Sequence, residues 1–137
     1  MGELQKHRNP KTVQPNITFL SGSLTIGAAG AITAQTDTRN GGVTFTKNAA
    51  TGRYDGVIHK AYRRAMKASA DMVGPTAGTP PNAAKCAFMT GIPAAAFAGT
   101  AGFSTFTVQC TAADGSTATN PTSGDIVTWD LQVSDSP

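Results

Sequence analysis

The chain has 137 residues and a mass of 14.0 kDa, enough for one domain that buries its own core without disulfide or metal staples. Asp, Glu, Lys and Arg make up only 14% of it, while Gly, Ala, Thr and Ser crowd the sequence, which argues against long helices as the main architecture. The formal net charge of +3 is mildly basic and admits an acidic protein partner, a nucleic acid or neither.

Residues 1–15 carry Lys6, His7, Arg8 and Lys11 together with Pro10 and Pro15 and show no hydrophobic period. They read as an extended N-terminal arm, either a disordered tail or a segment that orders on a partner surface, preceding a domain over residues 16–137. Without an apolar core the arm does not read as a signal peptide, and the most apolar stretch, residues 92–97, is too short to cross a bilayer. Residues 17–20, 23–26 and 31–36 read as short strand pieces divided by Gly22, Gly27 and Gly30. The sequon Asn16-Ile17-Thr18 matters only in a secretory compartment.

Residues 41–64, GGVTFTKNAATGRYDGVIHKAYRR, join the clearest hairpin signal to the densest positive charge. Val43 and Phe45 alternate with Thr44 and Thr46, residues 48–52 supply the turn with Gly52 at positive φ, and Tyr54, Gly56 and Ile58 share one face of the returning strand. Residues 61–74 satisfy two periods. On a helix Tyr62, Ala65, Met66, Ser69, Met72 and Val73 share a face, with Gly74-Pro75 as terminator. On a strand Met66, Ala68, Ala70 and Met72 alternate with Lys67, Ser69, Asp71 and Val73. The strand-rich surroundings decide for a short turn at residues 60–64 followed by a strand, because tertiary context overrides propensity.

Residues 74–84 form a Gly/Pro-rich loop, and residues 85–90 a short strand around Cys86, Phe88 and Met89. Residues 91–102, GIPAAAFAGTAG, either cover one end of the domain or enter a subunit contact, with Phe97 a sticky point if exposed. Residues 103–110 place Phe106, Val108 and Cys110 inward, residues 111–124 form a polar loop, and residues 125–133 place Val127, Trp129, Leu131 and Val133 on one face. The result is an all-β, single-domain antiparallel β-sandwich of seven to nine strands, jelly-roll-like in character.

No motif announces catalysis. Asp55 and His59 share a strand face, but no nucleophile elbow accompanies them, so an ordinary His is the reading and the protein is not expected to be an enzyme. Cys86, Cys110, His7 and His59 lack ligand spacing, and neither a metal nor another cofactor is expected. Both cysteines fall in strands and read as buried free thiols, with a bridge between neighbouring strands as the alternative. Lys60, Arg63, Arg64 and Lys67 form a basic cluster beside Tyr62 with no acid between them. The aromatic suits base stacking, yet one cluster with modest net charge favours an acidic protein surface over a nucleic acid.

The basic arm, the GVTFTKNAATGRYDGVIHKAYRR hairpin, the Gly/Pro loop and a closing DIVTWDLQV strand after TNPTSGD together resemble the head decoration, or capsid cement, proteins of tailed bacteriophages. That resemblance covers most of residues 22–133. It implies a β-sandwich on the outer capsid surface of the virion, made in the host cytoplasm, commonly a homotrimer, bridging neighbouring capsomers with the major capsid protein as partner. The family supplies no contact motif to carry over, so Lys6, Arg8, Lys11, Lys60, Arg63, Arg64 and Lys67 are the partner-binding residues expected from charge, with Tyr62 added as the aromatic beside the cluster. The alternative is a phage tail or fibre module whose loops bind a host receptor or carbohydrate, although those loops lack aromatic stacking platforms.

Overall fold

A computed structural model describes residues 17–37, 42–74 and 85–135. The arm with Lys6, Arg8 and Lys11, and residues 75–84 of the Gly/Pro loop, lie outside the described residues. The described residues form β1 (Ile17–Ile26), β2 (Ile32–Asp37), β3 (Val43–Lys47), β4 (Arg53–Tyr62), β5 (Arg64–Val73), β6 (Cys86–Thr90), β7 (Phe103–Thr111) and β8 (Ile126–Ser134), with a 3-10 turn at Ala28–Gly30 and one short α-helix, α1 (Ala94–Phe97). Two antiparallel sheets result, ordered β2-β1-β8-β5 and β3-β4-β7-β6. Their apolar faces pack together, so the protein is an all-β sandwich.

Alternation decides which side chains enter the core. Val43 and Phe45, then Tyr54 and Ile58, then Phe106, Val108 and Cys110, then Val127, Trp129, Leu131 and Val133 are all buried, as their two-residue period requires. Phe45 and Phe106 from one sheet meet Trp129 from the other, with ring centroids 5.4 to 5.8 Å apart and the Phe45–Phe106 pair edge to face. The indole N–H of Trp129 is buried with no acceptor, which costs about 1–3 kcal/mol. Burying an aromatic side chain of this size contributes about 4–6 kcal/mol, so packing wins. Gly56 lies under this cluster, where a Cβ would come within 2.9 Å of Phe106 Cζ and 3.0 Å of Phe45 Cε1.

Several boundaries differ from the sequence reading. β1 runs unbroken through Gly22 because it is paired on both sides, with β2 and with β8, and these ladders hold the glycine in extended conformation. No turn occupies residues 60–64: β4 continues to Tyr62 and the chain only bends at Arg63 before β5 begins. Met66 does not start the buried series of β5, because the register with β8 slips between Ala65 and Lys67 and leaves Met66 in a bulge. Ala65 is the buried residue, and Ala68, Ala70 and Met72 follow on the core side.

The sandwich closes its open sides with side chains and packing. Gln35 of β2 donates from Nε2 to the Phe45 carbonyl (3.1 Å) and accepts from the Phe45 N–H at Oε1 (2.8 Å), extending the ladder across the gap to β3. On the opposite side β5 and β6 lie against one another. One end is plugged by the wholly buried Ala96 of α1, which packs against β5, so residues 91–102 cover the core. At the other end Tyr54 donates its hydroxyl to the Gly30 carbonyl (2.6 Å), and Asn120 Oδ1 accepts the Gly52 N–H (2.7 Å).

Two substitutions test this account. Gly56→Ala should lower unfolding free energy in urea by about 1–3 kcal/mol through overpacking of Phe45 and Phe106, and an unchanged midpoint would contradict the packing described. Gln35→Ala should cost about 1–2 kcal/mol by leaving both Phe45 backbone groups unpaired, with faster amide exchange at Phe45 as its local signature.

Candidate functional site

The basic residues gather where the chain passes from one sheet to the other. β4 pairs with β7 up to Val57 opposite Thr105 and resumes only at Tyr62 opposite Phe103, so residues 58–61 arch out of that ladder. Lys60 stands on this arch, exposed, with Nζ 5.1 Å from the Tyr62 ring centroid and paired with the Asp135 carboxylate. The hydrogen bond to Asp135 is the main reason that the Lys60 ammonium is held above its ordinary range. The pair is exposed to solvent and contributes little to stability. Arg63 is exposed at the bend itself, and Lys67 is exposed beside the bulge of β5.

Arg64 behaves differently from its neighbours. Its side chain is partly buried and lies on the Gly99 backbone just beyond α1, where a Cβ would fall 2.5 Å from Nη2 and 2.7 Å from Nε. Gly99, at φ +77°, both makes the turn and leaves the space that the guanidinium fills. Nη2 donates to the Ala98 carbonyl at 3.4 Å, and Nε is buried with no acceptor.

Tyr62 corrects an expectation. At 8% exposure its ring is core, covered by Lys60 rather than presented to a ligand, so it offers no stacking platform. Lys60, Arg63, Arg64 and Lys67 do share one end of the molecule. The strand pairing adds a relation that periodicity does not contain: Ile17 of β1 lies opposite Ser134 of β8, and Ser134 lies opposite Arg64 of β5. The chain preceding Ile17, which carries Lys6, Arg8 and Lys11, is therefore rooted at the basic corner. No local sequence signal reveals this, because the pairing joins the two ends of the chain. Phe97, 44% exposed, stands on α1 beside this corner, and Phe19, 48% exposed, lies on β1 in register with Gln132 and, through it, Lys67.

The other candidate chemistry does not converge. His59 Nε2 is 2.8 Å from Thr44 Oγ1, whereas Asp55 accepts from Asn48 Nδ2 (2.7 Å) and Thr107 Oγ1 (3.3 Å). No group of three or more His, Cys, Asp or Glu that could hold a metal occurs among the described residues. Both cysteines are free, but only Cys110 is buried; Cys86 is exposed, correcting the expectation of two buried thiols. Ala87, not Cys86, is opposite Cys110, and strand alternation turns the two thiols to opposite faces, which precludes a bridge between them.

Burial pushes the Cys110 thiol up to about 12 and raises the Tyr54 phenol as well. Both groups are neutral in the native state below their raised values, while unfolding lets them ionise near their ordinary ones. Their stabilisation is thus complete below about pH 9 and is lost as pH rises towards 12. Equilibrium unfolding across this range should show a steady decline, made shallower by Cys110→Val. At pH 8 a thiol reagent should label one cysteine rapidly in the native protein and two after denaturation; rapid native labelling of both would contradict the burial of Cys110. Comparison of the chain with protein-family models, with characterised proteins and with solved structures returns no match.

Proposed function

We propose that this protein is a structural virion component that decorates the outer surface of a bacteriophage capsid and reinforces it by bridging neighbouring capsomers. The observation that carries the proposal is the convergence at one end of the sandwich of Lys60, Arg63, Arg64 and Lys67 with the root of a basic arm, through the row Ile17–Ser134–Arg64. A cement protein needs a rigid body and a surface that makes many modest contacts at once. The sandwich supplies the body, and the basic end supplies contacts that steer towards an acidic surface of the major capsid protein. Repetition over a shell, and association of the protein into trimers, converts weak individual contacts into high avidity. In the alternative tail or fibre reading, the loops at residues 74–84 and 111–124 meet a host receptor and the basic corner has no part in it.

The test is co-sedimentation with expanded capsid shells, together with light scattering to establish the oligomeric state. Deletion of residues 1–15, or the pair Lys60→Glu and Arg63→Glu, should weaken shell binding at least tenfold, and binding should fall steeply with salt. Undiminished binding by both variants would remove the basic end from the function, and binding of glycans in place of shells would establish the alternative.

A further inference from the structure

We infer that Arg64 is the anchor of the basic end and that it receives a carboxylate from an acidic protein segment. The inference rests on the attachment end proposed above and assigns its chemistry. Lys60 already holds Asp135, so a partner gains from it only by displacing that carboxylate. Arg63 and Lys67 are exposed, and ordering either long side chain on a partner costs rotamer entropy. Arg64 is the exception on both counts. Gly99 and the end of α1 already hold its guanidinium in place, and Nε is already out of water without an acceptor. Of its five N–H donors, the only bond among the described residues is the long one from Nη2 to Ala98. Much of the dehydration and ordering that binding normally requires has therefore been incurred in folding, and an arriving oxyanion adds charge-assisted bonds to a group with few to lose.

A carboxylate is favoured over a phosphate polymer by two features of this end. The one anion among the described residues here is Asp135, which shows that the corner accommodates a carboxylate beside Lys60. Tyr62, the aromatic within the cluster itself, is buried beneath that lysine and offers no face on which to stack a base. Phe97, exposed on α1 one residue before the Ala98 carbonyl that Arg64 meets, suits an apolar side chain in the same segment as the carboxylate.

The full-length protein, labelled with nitrogen-15, is titrated at low salt with octaglutamate and, separately, with inorganic octaphosphate. The Arg64 Nε–Hε resonance should shift with octaglutamate by more than that of Arg63. Arg64→Lys should weaken octaglutamate binding at least tenfold despite keeping the charge, whereas Arg63→Ala and Lys67→Ala should each cost less than threefold. An unmoved Arg64 resonance in the wild-type protein overturns the inference whether or not the variant folds. So does equal binding by Arg64→Lys, or tighter binding of octaphosphate than of octaglutamate. Shell binding that needs the basic end but survives Arg64→Lys overturns the anchor alone, and failure of the wild-type protein to bind shells overturns the attachment reading with it.

Discussion

The structure depends on one uninterrupted crossing: β4 and β5 are a single extended run that leaves one sheet at Tyr62 and joins the other at Arg64. A chain that changes sheets must bring its inward-facing residues to bear on the core from the opposite side. Tyr62 and Ala65, the last and first buried residues of the two strands, do so across the bend at Arg63. The crossing shifts the alternation by one residue, and the bulge at Met66 shifts it back, so that Ala68, Ala70 and Met72 again face the core. Had either adjustment been absent, every side chain of β5 would face the wrong way.

The same crossing collects the charge. Residues at a corner between two sheets have less core to face, so the run from Lys60 to Lys67 places lysine and arginine where water reaches them. The buried members of the run, Tyr62 and Ala65, carry the packing. Arg64 is the intermediate case, close enough to α1 to lose water and too far from any carboxylate among the described residues to be neutralised. Its Nε and the Trp129 indole N–H are the two buried side-chain polar groups without a partner among the described residues, one at the corner and one in the core.

The core is more conventional in its physics. Phe45, Phe106 and Trp129 join the two sheets over the space left by Gly56, and Gln35 closes the seam between β2 and β3 by using a side-chain amide as a short piece of strand. The ends are stopped by different means, Ala96 at one and the Tyr54–Gly30 and Asn120–Gly52 hydrogen bonds at the other. At the seam, Gln35 satisfies the outward backbone groups of Phe45 on the edge of β3.

Much of this was legible from residue order alone. A period of two in residues 43–46, 54–58, 106–110 and 127–133 is a local consequence of pleating, so the buried face of each strand and the all-β class followed from it. Lys60, Arg63, Arg64 and Lys67 were likewise visible as a cluster because they are neighbours in the chain. Tertiary structure decided what depends on distant partners. The pairing of β1 on both sides kept Gly22 within a strand, and the register of β6 with β7 turned Cys86 outward. Burial beneath Lys60 took Tyr62 from the surface, Gly99 distinguished Arg64 from Arg63, and the row Ile17–Ser134–Arg64 brought the start of β1 to the corner. Periodicity reports which face a residue takes within its own strand; which strand lies beside it is settled only when loop closure and packing select one pairing for the whole chain.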